Sequence, residues 1–453
     1  MNLPKDFENY FLRHWKEEDV AALIDGLDSE PCVSIRLNPD HLPSDAEPLN
    51  ADGRVPWCSE GFYLSQRPIF TADPLLHAGA YYVQEASSMF LAHVLRNLSL
   101  SPRLALDLCA APGGKSTLLR SLLPDNCLLI SNEPNRPRCQ VLAENMAKWG
   151  HPNVLVTQAY AADLTDAVRN AQFSLPNFPY PPASTFGLIL ADVPCSGEGM
   201  MRKEAEAIAQ WSPAFVAECA SLQRNIIADI WPALQPGGFL IYSTCTFNPE
   251  EDEENVEWIA RELGADVVTI PTDPTWNIRG DLRATGSASS EGCGISSYRP
   301  LPCYHFLPGQ VRGEGFFLAV LQKQGSLEED DITVFSAEGT HLSKKKKAKK
   351  KENNRPVTPA FPILPTDQLD RKGAPRVELS LADSIRYLQR EALILPPETP
   401  RGIVQVCFCG QRLGLMNNLG NRANNLYPKE WRIRSSYVSP ASLFNLSKES
   451  SSF

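Results

Sequence analysis

Between residues 104 and 244 the chain repeats one pattern, a short and nearly continuous apolar run followed by a helical stretch. "LALDLCA" (104–110), "CLLISNE" (127–133), "NVLVTQ" (153–158), "FGLILAD" (186–192) and "GFLIYST" (238–244) have the character of strands. "KSTLLRSLL" (115–123) and "RPRCQVLAENMAKWG" (136–150) are helical, the second ending at Gly150, and a longer helix with Trp231 precedes the last strand. Strands that are apolar on both faces need cover on both faces, so the alternation predicts a Rossmann-like α/β domain built on a parallel sheet. "ADVVTI" (265–270) and "GFFLAVLQK" (315–323) extend it. In such sheets ligands gather beyond the carboxyl ends of the strands, so the residues just past each strand are the ones to inspect.

The 453 residues exceed one ordinary domain. Residues 1–75 predict a small α+β domain: "FENYFLRHWKEEDVAALIDGL" has helical spacing, and "CVSIRLNP" (32–39) alternates as a strand stopped by Pro39. "YVQEASSMFLAHVLRNL" (82–98) predicts a single helix opening the main body, which spans 76–324. Residues 325–359 form a charged linker, and 344–351 hold seven lysines in eight positions, a solvated tether in preference to an RNA contact. Residues 360–453 regain apolar content and predict a small β-rich domain.

The first residues lack a basic stretch followed by an apolar one, and no apolar run approaches the ~18 residues of a membrane helix. A soluble, cytoplasmic and monomeric protein is expected. Its 12 cysteines include no CxxC pair, which points to reduced thiols and no metal site, although Cys407 and Cys409 form a CxC and Cys293 and Cys303 lie ten apart. The net charge of −10 does not advertise a nucleic-acid binder. Charge is uneven, however: "EEDEEN" (250–255) and "EEDD" (328–331) concentrate acid, and local patches matter more than the total. The first acidic run has the look of a solvated helix face.

"LDLCAAPGGKST" (106–117) is a strand, a turn of small residues and a helix start. Gly113 and Gly114 let backbone approach a ligand, and the helix N-terminus favours an anionic group. A P-loop would need glycine where Cys109 stands, so that reading fails. Glu133 ends the next strand, where Rossmann-like folds place an acid against ribose hydroxyls. Cys109, Cys127 and Cys139 fit as small hydrophobes. Cys195 and Cys245 differ, since each lies just past a strand, in "ADVPCSGEG" and "YSTCTFNP". A cysteine thiolate suits attack on electron-poor carbon, yet spacing alone leaves catalysis and packing equally open.

"LDLCAAPGGKS", "NEPNRPR", "DVPCSGEGMMRK", "YSTCTFNPEEDEENV" and "FLPGQVRGEGFFLAVL" together resemble the Sun-type (Nop/Nol/Sun, Fmu-like) RNA (cytosine-5-)-methyltransferases. The resemblance runs in order from "SIRLNP" (34–39) to 323, and "NRANNLYPKEWR" (421–432) is similar to the PUA-like RNA-binding domain of the bacterial RsmF-like branch. It implies S-adenosylmethionine as cofactor, held by Cys109, Ala110, Ala111, Pro112, Gly113, Gly114, Lys115 and Glu133, with Arg138 bracing the loop and Asp192 between cofactor and base. It assigns covalent attack on the cytosine 6-carbon to Cys245, release to Cys195, and stabilisation of the base, through ring nitrogen 3, to Asp192. Lys203 would reach the target nucleotide or its phosphate.

One departure stands out. Where the family often has Asp for the adenosine end of the cofactor, this chain has Tyr160, with Asp163 three residues on; a substitute carboxylate and ring stacking both stay open. "EENV" (253–256) resembles a motif of DNA cytosine methyltransferases, in which the Pro-Cys cysteine attacks instead. In the tail Arg422, Lys429, Arg432 and Arg434 alternate with Tyr427 and Trp431, a mixture suited to phosphate contact and base stacking. The implied substrate is 16S ribosomal RNA within a 30S particle, with transfer RNA, or a catalytically silent RNA-binding or assembly factor, as alternatives.

Overall fold

The apolar runs pair as strands in the computed structural model, which describes residues 1–170, 185–283, 300–325, 362–434 and 442–444. The lysine run, the second acidic run and Cys293 lie outside the described residues. Strands β1 (Val33–Leu37), β2 (Ala51–Arg54), β3 (Gly61–Leu64) and β4 (Tyr81–Val83) form an N-terminal antiparallel sheet in the order β2-β3-β1-β4. β4 comes from the stretch expected to be one helix. "YYV" is β-prone and pairs with β1, so the α-helix starts only at Phe90 (Phe90–Asn97), and the N-terminal sheet extends past the boundary expected at 75.

The central sheet follows with β5 (Leu104–Asp107), β6 (Leu128–Asn132), β7 (Val154–Thr157), β8 (Phe186–Asp192), β9 (Leu234–Thr244), β10 (Ala265–Val268), β11 (Cys303–Phe306), β12 (Phe316–Lys323) and β13 (Ile363–Leu364). Its order is β10-β12-β9-β8-β5-β6-β7-β13, with β11 on β12. β5 to β9 pair in parallel. The sheet is nevertheless mixed, because β12 inserts antiparallel between β9 and β10. A strand's apolar pattern reports burial and carries no sign of direction, so the purely parallel expectation missed this. From β5 the chain winds outward through β6 and β7, then returns to β8 on the other side. The β5/β8 boundary is therefore the topological switch point, the usual place for a ligand.

Alternation along each strand divides the core into two layers. Leu188, Leu190, Leu318 and Val320 face one side, while Ile189, Ala191, Phe317 and Ala319 face the other. The register pairs Asp192 with Ser243, and Val193 N donates to Ser243 O (3.1 Å), so β8 and β9 end side by side.

The third unit contains β14 (Arg376–Glu378), β15 (Gly402–Phe408), β16 (Gln411–Asn418) and β17 (Ala423–Asn425), with a helix at Leu381–Leu388. It shares one core with the N-terminal sheet, in which Ile35 and Phe62 belong with Tyr387, Val404 and Tyr427. The N-terminal helices Phe7–Phe11 and Glu17–Asp28 pack with Met201, Trp211 and Phe247, beside the cysteine loops. Gly26 is required there: a Cβ on it would stand 2.0 Å from Pro308 O. Among the described residues no helix is long and apolar enough to cross a membrane.

Candidate active site

The loop after β5 turns through Gly113, whose φ of 117° is left-handed, into the helix Gly114–Leu122. Arg138 Nη2 donates to Ala111 O (2.9 Å) and Asn145 Nδ2 to Pro112 O (2.8 Å), which holds the turn from the side. Glu133, just past β6, is 2% exposed. Its Oε1 accepts from Asn135 N (2.9 Å), and Arg138 Nη1 stands 3.4 Å from Oε2, but no donor hydrogen-bonds that second oxygen among the described residues. Asp107 is fully buried at the end of β5; its Oδ2 accepts from Ser116 Oγ (2.6 Å), and its Oδ1 has no partner among the described residues.

Burial, with repulsion from Asp192 and Glu133, pushes the Asp107 carboxyl up to about 7. Burial and the same carboxylates raise the Cys109 thiol, which stays protonated and serves as loop packing. Burial would lower Lys115, yet Asp192, Asp107 and Cys245 turn this into a net rise, so the ammonium persists. Asp192 and Asp107 thus both act on one ammonium, while Glu133 stands beside Arg138. The unpartnered oxygens call for hydroxyl donors, and the excess negative charge favours a cationic ligand. Both features fit a nucleoside sulfonium cofactor. Tyr160 is 72% exposed at the start of the helix Ala161–Arg169, and Asp163 lies exposed in its first turn.

Cys195 and Cys245 leave β8 and β9 together, and their sulfurs are 3.2 Å apart. Both are half-buried. Asp192 stands beside them, with Oδ2 accepting from Lys115 Nζ (2.8 Å) and Oδ1 from Ser243 Oγ (2.8 Å). Lys115 therefore ties the glycine loop to the cysteine side of the cleft. The hydrogen bond with Cys245, then burial, then the charge of Glu251 raise the Cys195 thiol well above its ordinary value. In "GEG", the second glycine donates N–H to Cys245 O (2.8 Å), and a Cβ on Gly199 would meet Cys245 O and Gly315 O at 3.0 Å.

The acidic run after Cys245 is not a solvated face. Glu251, Asp252 and Glu253 are fully buried. Asp252 Oδ1 accepts from Thr244 Oγ1 (2.6 Å) and Thr246 Oγ1 (3.1 Å), while Glu253 Oε1 accepts from Leu282 N (3.2 Å) and shares a hydrogen bond with His305 (2.9 Å). The Glu253 partners come from distant segments and the Asp252 donors from the end of β9 and the turn after it, contacts that a charge run in sequence does not reveal. Cys303 ends beside Glu253 and His305, with one ligand-type atom of each within 4.8 Å of the others.

The tail also differs from expectation. Arg422, Lys429, Arg432 and Arg434 are exposed, but Tyr427 is 1% exposed and edge-on to Tyr387. Tyr427 therefore serves packing and is withdrawn from stacking, while Trp431 is half-buried against the same core. Lys203 is exposed and 3.2 Å from Glu314 Oε1.

Arg36 escaped the sequence reading. It is 2% exposed, donating Nε to Gln84 Oε1 (2.8 Å) and Nη2 to Thr117 Oγ1 (2.6 Å), above the Trp149 ring. An arginine in the middle of the alternating strand "SIRLNP" was the available signal. It links the N-terminal sheet to the helix of the glycine loop.

Comparison with known proteins agrees with this architecture. Residues 98–322 match the family described as 16S rRNA methyltransferase RsmB/F, residues 3–86 the N-terminal domain of 16S rRNA methyltransferase RsmF, and residues 374–433 the methyltransferase RsmF PUA domain. A ribosomal RNA small subunit methyltransferase F from Enterobacter sp. is 30% identical over 382 residues, covering 81% of this chain and 69% of that protein. The chain belongs to the RsmF family of methyltransferases. The namesake from Pectobacterium atrosepticum is 33% identical over 277 residues, 60% of this chain; there the chain spans about half (51%) of its relative's length. In fold it is similar to the crystal structure of NSun6 from Pyrococcus horikoshii with SFG (TM-score 0.53, 20% identity, covering 71% of this chain and 99% of that one).

Proposed function

We propose that the chain methylates the 5-carbon of a cytosine in 16S ribosomal RNA, with S-adenosylmethionine as methyl donor. The observation that carries this reading is the 3.2 Å contact of two thiols at the ends of adjacent strands, beside Asp192 and Lys115. One cysteine would suffice for packing or for simple nucleophilic attack. Two in contact suit a reaction in which one thiol bonds to the substrate and a second group must then take a proton.

In this reading Cys195, backed by Glu251, keeps its proton and donates it towards Cys245, whose sulfur lies on the Lys115 side. Cys245 then attacks the 6-carbon of a flipped-out cytosine, which turns the 5-carbon into a nucleophile. The bound cofactor supplies the electrophilic methyl group. As the sulfur attacks, ring nitrogen 3 takes up a proton from solvent, and Asp192, oriented by Lys115 and Ser243, accepts a hydrogen bond from the N–H so formed. Once Cys245 is bonded to carbon, the hydrogen bond that most strongly keeps the proton on Cys195 is lost. Cys195 can then lose its proton to solvent, accept the one on the 5-carbon and allow Cys245 to leave. Glu133 and the loop 109–115 would hold the cofactor, with Arg138 bracing that loop. The exposed Lys203, Arg422, Lys429 and Arg432 are the proposed RNA contacts.

A 30S particle in the cytoplasm is the proposed setting. The test is transfer of labelled methyl groups from S-adenosylmethionine to 16S RNA and 30S particles, followed by bisulfite sequencing. Label in transfer RNA alone would move the substrate, and no transfer to any RNA would leave a silent assembly factor.

A further inference from the structure

We propose that Glu198 and Glu251 are positioning residues that cross-brace the two cysteine loops and so hold the two thiols in contact. This rests on the proposed two-thiol reaction for its catalytic consequence, though the geometry stands without it.

Each carboxylate sits in one cysteine's loop and grips the backbone of the other's. Glu198 follows Cys195, yet its Oε2 accepts from the backbone N–H groups of Phe247 (2.6 Å) and Asn248 (3.1 Å), just past Cys245. Glu251 follows Cys245, yet its Oε2 accepts from the N–H of Ser196 (3.0 Å), the residue after Cys195. Asn248 Nδ2 joins the two, donating to Glu198 Oε1 (3.0 Å) and Glu251 Oε1 (2.8 Å). Outer donors complete each carboxylate: Trp211 Nε1 to Glu198 Oε1 (2.9 Å), and Gln223 Nε2 to Glu251 Oε2 (2.7 Å). Gln223 Nε2 also reaches Pro194 O (2.9 Å). Both acids are 0% exposed.

Every partner of these four oxygens is an N–H donor, and an ionised carboxylate is the one side chain that offers only acceptors. Glutamine has nearly the same shape but would aim an NH2 group at a donor, so one strut in each brace would be replaced by repulsion. The consequence falls on the sulfurs. Proton exchange between them requires hydrogen-bond reach, and loops released from their braces no longer enforce it. Sequence alone showed a "GEG" and an acidic run, with no hint that each served the other's loop.

The experiment uses the full chain and two independent readouts on Glu198→Gln, Glu251→Gln and Gln223→Leu. The first is bridging of the thiol pair by phenylarsine oxide, in which two S–H groups and the arsenic oxide give a dithioarsenite and water. Peptide mapping follows the Cys195–Cys245 bridge, and this needs no RNA. The second is methyl transfer. We expect bridging to slow at least tenfold and kcat to fall 10- to 100-fold in both glutamine variants, with KM for RNA unchanged. Gln223→Leu removes the outer donor to Glu251 together with the hydrogen bonds to Pro194, Tyr242 and Asn255, but leaves Glu198 and Glu251 in place, and should lie between the glutamine variants and the unchanged protein. Wild-type rates of bridging in folded glutamine variants overturn the proposal, whatever happens to methylation. Should the glutamine variants not fold, Gln223→Leu decides: unchanged bridging and kcat overturn the brace. If the unchanged protein bridges rapidly but methylates no RNA, the proposed function fails and the brace survives.

Discussion

Replacing Asp107 by asparagine separates a pH-dependent effect from a pH-independent one at the floor of the proposed cofactor site. Burial, Asp192 and Glu133 raise this carboxyl from its ordinary 3.8 to about 7. A folded-state value above the unfolded one means that the native protein binds the extra proton between those limits. Stability is then fully present below about pH 4 and is lost as pH rises through about 7. A rise of about three units corresponds to about 4 kcal/mol, at about 1.4 kcal/mol per unit. The amide of the Asp107→Asn variant does not titrate. Its oxygen can still accept from Ser116, but its NH2 replaces an oxygen that has no partner, a constant cost of about 1–3 kcal/mol. The two stability profiles should therefore cross: the variant is weaker near pH 4.5 and equal or stronger at pH 8. Burial also lowers His77 to about 3 and His41 to about 4, but both are common to the two proteins and cancel in the difference. Urea unfolding at half-unit steps of pH measures it, with midpoints compared at equal m-values. Parallel profiles would refute the reasoning. Saturating S-adenosylmethionine should flatten the difference, because a cation beside Asp107 favours its ionised form.

Cys245→Ala should abolish methyl transfer and form no RNA adduct, whereas Cys195→Ala should accumulate protein covalently attached to RNA, seen as a shifted band under denaturing electrophoresis. The reverse pattern would exchange the two roles. Glu133→Gln keeps the shape of the unpartnered acceptor without its charge, and should weaken S-adenosylmethionine about 10- to 100-fold in calorimetric titration, from a charged hydrogen bond of about 1.5–3 kcal/mol. An unaltered Kd would remove Glu133 from the cofactor site. Arg36→Met keeps most of the buried stem but deprives Gln84 and Thr117 of their donor. We expect a loss of about 2–5 kcal/mol in stability, read by thermal melting, together with weaker cofactor binding; an unchanged Tm would show that the N-terminal sheet does not support the glycine loop.

By itself the amino-acid sequence determined what depends on neighbours along the chain. Apolar runs such as "FGLILAD", the glycine turn at 113–114 and the polar residues after each strand are local signals, and they located the ends at which Glu133, Asp192, Cys195 and Cys245 lie. The family resemblance was equally a property of ordered motifs. Tertiary structure decided what depends on distant partners. The insertion of β12, the pairing of "YYV" with β1 and the register of Asp192 with Ser243 are long-range choices that strand periodicity does not encode. Partnership also reversed the meaning of side chains. Glu251 and Glu253 looked solvated until N–H donors from Ser196 and Leu282 met them, and Tyr427 looked free for stacking until Tyr387 covered it. A charge or a ring has the same symbol in either setting. Whether it meets water or a buried partner is settled by segments far away in the chain, and only folding brings those together.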